Sequence, residues 1–344
     1  MAFQTESFTF DPRPSYPLVT TAKRYTHPLF QPNSKDAFTL LFTHGSGFHK
    51  EHWEPTLQDL VSNLDQIKVK EVWSIDCPNH GDAAILNENV LGWGYDAVFP
   101  WEEYARTTYL FLTNQGTGIP VDFSKHKVIG IGHSMGAIAL MLSRTYTPTL
   151  PLRSIILVEP MLIPRPGPDI PTDIKINFEG GAIKRRDIWK NVQEASEFFK
   201  GRKSFQIWDE RVLDIFIEHG LRPLPTLIYP DATGVTLKCP RTQEVACYRD
   251  QIGRTRAYSY LPYLTSDIPV HFIFGAINDA LPEWVKDNVL ATCKEQQASF
   301  QRVEGAGHLV VQMQPKRLAE KIRLALIQIQ EGTWTTTRAV ESRL

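Results

Sequence analysis

A serine flanked by two glycines lies between a strand-like segment and a helix-like segment. The motif GHSMG at residues 132–136 follows the apolar run HKVIGI and precedes the helix-forming run AIAL. A tight strand-to-helix turn of this kind exposes a serine hydroxyl, and its glycines leave room where Cβ atoms would collide. The pattern predicts Ser134 as a nucleophile that attacks an acyl carbon.

A serine hydroxyl is a weak nucleophile at neutral pH and needs an adjacent base, which an acid holds in place. His308 ends the segment EGAGH, directly after the last predicted strand, and it is the only one of the 10 histidines in such a position. The two glycines of this segment allow a tight loop that carries the imidazole to the serine. We therefore predict His308 as the base.

Two carboxylates satisfy the chain order serine, acid, histidine. Glu159 directly follows the predicted strand SIILV, and Asp279 follows the predicted strand VHFIF one strand later. The usual spacing after the later strand, three residues beyond Gly275, falls on Asn278 instead of Asp279. We favour Glu159 as the acid and keep Asp279 as the alternative.

Acyl transfer also requires N–H donors for the oxyanion that forms on the acyl group. One donor is expected from the residue after the nucleophile, which is Met135. The second is expected from the loop HGSG at residues 44–47, which follows the predicted strand FTLLFT. Either Ser46 or Gly47 satisfies this expectation, and the sequence does not decide between them.

The elements around these residues alternate between strand and helix, which is typical of an α/β fold with a mostly parallel sheet flanked by helices. The stretch Leu18–Tyr25 is expected to add antiparallel edge strands. We predict an α/β core from residues 1–159 and 265–335, a mainly helical lid inserted at 160–264, and a tail at 336–344. The predicted strands of the core are Phe38–Thr43, Lys70–Ile75, His126–Ile131, Ser154–Val158, Val270–Phe274 and Phe300–Val303.

The composition narrows the class of partner. A net charge of -1 provides no general attraction to nucleic acid, and 42% hydrophobic residues are typical of a globular enzyme. The N-terminal sequence lacks the basic and apolar regions of a signal peptide, and no apolar run is long enough to span a bilayer. The four cysteines show no CxxC pairing, which favours free thiols in a reducing compartment.

Two further segments carry alternative interpretations. The segment DCPNHG at residues 76–81 contains metal-ligand types, but we interpret it as a structural turn and expect no metal. Basic residues of the lid could hold the phosphates of coenzyme A, but we favour a solvated surface. These residues are Lys184, Arg185, Arg186, Lys200, Arg202 and Lys203.

The chain ends in Ser342-Arg343-Leu344, which belongs to the same class as the peroxisomal address S-K-L. The preceding residues GTWTTTRAVE are typical of an exposed tail in which an import receptor could read the tripeptide. We predict a location in the peroxisomal matrix. A polar chain end without a targeting role is the alternative.

Several longer sequence segments resemble those of fungal peroxisomal α/β-hydrolases. This group includes hydrolases of the AK- and AF-toxin pathways, the acyl-CoA hydrolase of mycophenolic acid biosynthesis and, more distantly, the yeast peroxisomal lipase. The segments are HGSGFHKEHWEP, GHSMG, LVEPML, WDERVLDIFIEHGL, GVTLKCPRTQE and GAGH, together with the terminal SRL. They are distributed over most of the chain, including the lid. The resemblance implies Ser134 as nucleophile, His308 as base and an acid at Glu159, with acyl-CoA thioesters or polyketide-derived esters of secondary metabolism as substrates.

The leading hypothesis is therefore a serine hydrolase that cleaves a small-molecule ester or thioester without a cofactor. Acyl transfer, lactonisation and lipase-type ester cleavage remain alternatives within the same chemistry. A non-catalytic ligand-binding protein on the same fold is an alternative of another class. The sequence also leaves a homodimer open and predicts no stable insertion into a membrane.

Overall fold

The computed structural model describes residues 2–64, 66–164, 177–293 and 296–333. Within these ranges the chain alternates strands and helices. The strands are β1 (Gln4–Phe10), β2 (Thr20–Thr26), β3 (Phe38–Thr43), β4 (Val69–Ile75), β5 (Lys127–His133), β6 (Ser154–Val158), β7 (Ile188–Trp189), β8 (Leu221–Pro223), β9 (Val235–Leu237), β10 (Val270–Gly275) and β11 (Ser299–Val303).

The helices surround this sheet framework. They are α1 (Glu54–Val61), α2 (Gly81–Leu86), α3 (Glu88–Gly94), α4 (Trp101–Leu112), α5 (Met135–Ser143), α6 (Phe178–Ile183), α7 (Val192–Lys200), α8 (Lys203–Gln206), α9 (Glu210–Gly220), α10 (Arg241–Tyr248), α11 (Ile252–Asp267), α12 (Glu283–Thr292), α13 (Val310–Met313) and α14 (Pro315–Glu331). Short 3-10 helices occupy Lys50–Trp53 and Phe123–Lys125.

The main sheet has eight strands in the order β1-β2-β4-β3-β5-β6-β10-β11. Strand β2 is antiparallel to both of its neighbours. The other six strands, β4, β3, β5, β6, β10 and β11, are parallel to one another. The predicted parallel core and the antiparallel direction of the strand near Leu18–Tyr25 are confirmed. The edge position expected for this stretch is wrong, because β2 lies between β1 and β4. The sequence did not predict β1, because its exposed, largely polar side chains provide little apolar signal.

Both faces of the sheet are covered, as a mostly parallel sheet requires. Alternate residues of β6 enter different cores: Ile155 and Leu157 pack with α4, α5 and α11, whereas Ile156 and Val158 pack with α1 and α14. Because ligands of open α/β sheets bind beyond the carboxyl ends of the strands, that edge is where functional residues are expected.

Helix α5 is completely buried from Met135 to Ser143. Its sequence MGAIALMLS is apolar around the whole helix, which is typical of a helix enclosed on all sides. It packs between the sheet and helices α4 and α11. The turn that carries Ser134 is therefore fixed at a rigid position.

The lid proposed at 160–264 is described for residues 160–164 and 177–264. It contains helices α6 to α10, most of α11, and a small antiparallel sheet in the order β7-β9-β8 that the sequence did not predict. Its aromatic core includes Trp189, Phe199 and Phe216. Residue 264 lies inside α11, and Ala257, Leu261 and Leu264 pack in the core beside α5. The C-terminal boundary of the lid therefore falls within a helix of the core.

Candidate active site

Ser134 occupies a strained turn between β5 and α5. Its backbone has φ 54° and ψ -118°, a conformation that residues other than glycine rarely adopt. Its amide donates a hydrogen bond to the carbonyl of Val158 at 3.0 Å, which attaches the turn to the end of β6. The side chain reaches the cavity described below while the residue stays 7% exposed.

The two glycines of the motif are required by close contacts. A Cβ at Gly132 would lie 2.7 Å from the Cα of Ala137, and a Cβ at Gly136 would lie 2.5 Å from the carbonyl oxygen of Thr43. Such distances are shorter than real Cβ contacts. The glycines therefore permit the turn and the approach of the loop after β3.

Ser134, His308 and Glu159 form one hydrogen-bonded series. The Ser134 hydroxyl lies 3.0 Å from Nε2 of His308, and Nδ1 of His308 lies 3.2 Å from Oε2 of Glu159. All three residues are buried. With the imidazole proton on Nδ1, Nε2 is free to accept the serine proton, so the geometry suits general-base catalysis.

Glu159 is fixed by the backbone around it. It has a positive φ of 46°, and its amide donates to the carbonyl of Ile273 at 2.9 Å. Its second carboxylate oxygen, Oε1, accepts a hydrogen bond from the amide of Gly275 at 2.6 Å. One oxygen therefore holds the strand end while the other faces His308.

The alternative acid, Asp279, contacts the backbone of His308 and does not bond its ring. Its Oδ1 accepts hydrogen bonds from the amide of His308 at 2.8 Å and from the amide of Ala280 at 2.5 Å. A Cβ at Gly307 would lie 2.2 Å from Oδ2 of Asp279. Asp279 thus holds the loop that presents His308.

A buried lysine that no sequence motif indicates lies beside the carboxylate of Glu159. Nζ of Lys286 is 3.7 Å from Oε1 of Glu159 and donates to the carbonyl of Gly275 at 2.8 Å and to Oδ1 of Asn278 at 3.0 Å. Its side chain is 0% exposed. The positive charge therefore faces the carboxylate and joins it to the loop that carries Asp279.

The two candidate donors of the loop after β3 differ in their partners. The amide of Gly47 donates to Nε2 of His80 at 2.8 Å, so this N–H already has an acceptor. Burial lowers the pKa of His80 well below its usual value, and the neutral ring donates from Nδ1 to Asn79 at 2.7 Å. Within the described part of the chain, the amide of Ser46 has no such acceptor.

The amide of Met135 is at the first position of α5, where backbone N–H groups have no partner inside the helix. The hydroxyl of Ser46 donates to the sulfur of Met135 at 3.3 Å, so the two backbone segments are in contact. The geometry favours the Met135 and Ser46 amides as the two donors to an oxyanion, because the amide of Gly47 already donates to His80.

The segment 76–81 supports the loop after β3. Asp76 accepts hydrogen bonds from the amide of Lys50 at 2.9 Å, from Nζ of Lys50 at 2.9 Å and from the hydroxyl of Thr21 at 2.6 Å. The described residues contain no cluster of His, Cys, Asp and Glu that could hold a metal ion. Asp76 and His80 thus hold the loop after β3 through hydrogen bonds from the amides of Lys50 and Gly47.

His133, next to the nucleophile, is a buried neutral support. Burial, together with repulsion from His308, lowers the pKa of His133 to about 3. Its Nε2 donates to the carbonyl of His308 at 2.8 Å, and its ring leaves no room for a side chain at Gly45. His133 therefore attaches the loop of His308 to the loop after β3.

A cavity of about 820 Å³ opens above Ser134 and His308. One part of its wall is aromatic, and the described residues of the wall also include five cationic side chains. The aromatic and apolar lining residues are Phe48, Trp101, Met161, Ile163, Pro164, Phe178, Phe198, Phe199, Phe205, Trp208, Phe216, Tyr248 and Leu309. The cationic ones are Lys184, Arg185, Arg186, Arg202 and Arg254. Lys200 and Lys203 do not line the cavity in the described part.

The predicted targeting residues Ser342, Arg343 and Leu344 lie outside the described residues. Among the described helices, none has the length and apolar character needed to cross a membrane. The four cysteines, Cys77, Cys239, Cys247 and Cys293, are buried free thiols.

The chain is similar to three proteins that match the predicted resemblance. The type I acyl-CoA thioesterase mpaH of Penicillium brevicompactum is 29% identical over 227 residues, which cover 64% of this chain and 48% of that protein. The peroxisomal membrane protein LPX1 of Saccharomyces cerevisiae is 26% identical over 90% of this chain and 79% of its own length. The abhydrolase domain-containing protein AKT2 of Alternaria alternata is 28% identical over 35% of this chain and 44% of its own length.

The chain thus spans about half the length of mpaH and most of LPX1. The solved structure of the peroxisomal α/β-hydrolase Lpx1 from Saccharomyces cerevisiae superposes with a TM-score of 0.71 over 97% of this chain and 91% of that one, at 23% identity. This likeness shows the fold. The family model of α/β hydrolases matches residues 40–321. The chain therefore belongs to the α/β-hydrolase family.

Proposed function

We propose that the protein is a serine hydrolase that cleaves acyl thioesters, with acyl-CoA as the substrate class. The observation that carries the proposal is the series from the Ser134 hydroxyl through His308 to Glu159, with distances of 3.0 and 3.2 Å, beneath a cavity large enough for an acyl group. Surveyed ligand pockets have volumes of roughly 300 to 1,000 Å³, which include this cavity.

The proposed reaction has two stages. The Ser134 oxygen attacks the acyl carbon while Nε2 of His308 takes the serine proton, and the amides of Met135 and Ser46 stabilise the oxyanion. The carbon–sulfur bond breaks, and the thiol leaves with the proton from His308. Water, activated by His308, then hydrolyses the acyl-enzyme and releases the carboxylic acid. Glu159 holds the ring and stabilises its positive charge.

The thioester class is supported by two independent features. The relative mpaH is named as an acyl-CoA thioesterase. The cationic residues around the cavity provide partners for the phosphates of coenzyme A. The proposed reaction uses no cofactor.

The proposed location is the peroxisomal matrix. The terminal tripeptide Ser342-Arg343-Leu344 supports recognition by an import receptor, and the relative LPX1 is named as peroxisomal. A fluorescent fusion that keeps this C-terminus free tests the location, since deletion of the tripeptide should release the fusion from peroxisomes. An unchanged distribution after the deletion would contradict it.

Turnover of acyl-CoA thioesters beside p-nitrophenyl esters, together with labelling by a fluorophosphonate probe, tests the function. We expect labelling and turnover by the wild type, loss of both in Ser134→Ala, and retention of both in Ser7→Ala, whose serine is exposed on β1. Cleavage of free esters without any CoA ester would remove the thioesterase proposal. No labelling of folded wild-type protein would favour a ligand-binding protein.

A further inference from the structure

The cavity carries a surplus of positive charge that the whole chain does not have. Five cationic side chains and two carboxylates, Glu179 and Glu244, line its described wall, whereas the chain has a net charge of -1. Both carboxylates are already paired. Glu244 bonds Arg185 at 2.6 Å, and Glu179 bonds Arg249 at 2.8 Å. The remaining cations therefore face the cavity without local neutralisation from these two groups.

Arg254 differs from the other arginines of the cavity. It lies on α11 and is half-buried, and no ion pair or hydrogen bond to it is formed within the described residues. In contrast, Arg186 pairs with Glu194 at 2.7 Å. Arg202 is exposed and stacks on Phe198, 4.4 Å from the ring centroid. Among the described residues of this wall, Arg254 is thus a half-buried guanidinium without an ion-pair or hydrogen-bond partner.

The carboxylate that attracts Arg254 is that of Asp250, which does not bond it. Oδ2 of Asp250 accepts the amide of Trp101 at 2.7 Å, and Oδ1 accepts the amides of Ile252 and Gly253 at 2.9 and 3.1 Å. Burial lowers the pKa of Arg254 while Asp250 opposes this shift. The guanidinium remains charged at neutral pH, because an arginine pKa lies far above 7.

A half-buried cation has lost part of its hydration, and an anion that reaches it recovers that loss through charge-assisted hydrogen bonds. The planar guanidinium suits two-point binding of carboxylate or phosphate oxygens. Gln251 and Thr255, one helical turn or less from Arg254, line the same wall and add polar side chains. These features describe a binding position for an oxyanion inside the substrate cavity.

We propose that Arg254 binds an anionic group of the substrate and makes the enzyme selective for charged acyl thioesters. The inference rests on the proposed function, since it places the substrate in this cavity. A carboxylate at the far end of the acyl group and a phosphate of coenzyme A share the required chemistry. The experiment separates these two sources.

The test compares four substrates that differ in whether the acyl group carries a terminal carboxylate and in whether the thiol carrier has phosphates. Octanoyl and suberoyl groups, the second with a terminal carboxylate, are each presented on coenzyme A and on the neutral carrier N-acetylcysteamine. For each variant, kcat/KM ratios between charged and neutral substrates cancel general effects on the triad. The variants are Arg254→Gln, Arg254→Lys and the control Arg256→Gln, whose arginine lies on the same helix and pairs with Glu102.

If the carboxylate is the ligand, Arg254→Gln lowers the suberoyl-to-octanoyl ratio by roughly tenfold or more, as expected for a lost charge-assisted bond. If a phosphate is the ligand, the CoA-to-carrier ratio falls instead. Arg254→Lys should give a smaller loss, and Arg256→Gln should keep both ratios. The proposal is overturned if both ratios stay within about twofold of wild type in Arg254→Gln.

Calorimetric titration of Ser134→Ala protein with coenzyme A and with suberate measures the same interaction without catalysis. When Arg254→Gln is combined with Ser134→Ala in one protein, the Kd of one of these two ligands should rise by roughly tenfold. This readout distinguishes the two claims. Wild-type protein that binds the anion through Arg254 but hydrolyses no thioester would contradict the proposed function only, whereas equal binding with and without Arg254 would contradict this inference.

Discussion

Asp279 accepts a hydrogen bond from the main-chain amide of His308 at 2.8 Å, while the imidazole of that histidine faces a different carboxylate. Nδ1 of the ring lies 3.2 Å from Glu159. The two acids that the sequence left open therefore contact the same residue in different ways. One holds the loop, and the other holds the ring.

Replacement of each acid by its amide should separate these contacts. Glu159→Gln removes the charge that orients the ring and should lower kcat by about 10³- to 10⁴-fold. Asp279→Asn retains an oxygen that can accept the amide of His308, so kcat should fall by less than about tenfold. Steady-state kinetics on one acyl thioester measures both. Near-normal turnover in Glu159→Gln with inactive Asp279→Asn would reverse the assignment.

Lys286 is expected to stabilise the fold and position Glu159. Lys286→Met removes a buried cation, leaves the carbonyl of Gly275 without this donor, and should lower the free energy of unfolding by about 3 to 5 kcal/mol. Urea denaturation measures this loss. The control Lys127→Met breaks an exposed pair with Asp36 and should cost less than about 1 kcal/mol. Equal losses in the two variants would contradict the role of Lys286.

Gly136 should be intolerant of any side chain. Gly136→Ala places a methyl group 2.5 Å from the carbonyl of Thr43 and should displace the loop that carries the Ser46 amide, so kcat should fall by about 100-fold. Gly92→Ala is the matched control, because its Cβ would meet nothing within 4 Å on helix α3. That control should keep activity and gain up to about 1 kcal/mol in unfolding free energy. Kinetics and urea denaturation together decide the outcome.

The buried histidines should make the fold sensitive to mild acid. Burial lowers the pKa of His44 to about 4, and burial with repulsion from His308 lowers that of His133 to about 3, from an ordinary 6.5. Above pH 6.5 neither the folded nor the unfolded state binds these protons, and the fold has its full stability. Between pH 6.5 and 4 the unfolded state binds protons that the folded state excludes. The free energy of unfolding therefore decreases as the pH is lowered through this range.

Each histidine contributes up to about 1.4 kcal/mol per pH unit in this window. Urea denaturation at a series of pH values should show the decline, and His133→Asn should reduce its slope. An identical slope in wild type and His133→Asn would show that this histidine does not take part. The comparison needs no enzymatic activity.

The buried strands and the turn that carries Ser134 were predictable because their signals are local. The predicted bounds of Phe38–Thr43 and Ser154–Val158 match the structure, since both runs are apolar and buried on both faces. Strands β7, β8 and β9, of two or three residues each, are too short to produce a periodic pattern in the sequence. The pairing of Gly47 with His80 and the approach of Lys286 to Glu159 depend on segments distant in sequence, so only the assembled fold reveals them.

Mass spectrometry of enzyme quenched with acid during turnover of octanoyl-CoA tests whether Ser134 forms a covalent acyl-enzyme. We expect an octanoyl adduct on the peptide that contains Ser134, and we expect no adduct and no turnover in Ser134→Ala. Hydrolysis by Ser134→Ala at the wild-type rate, without an adduct at this serine in the wild type, would contradict this expectation.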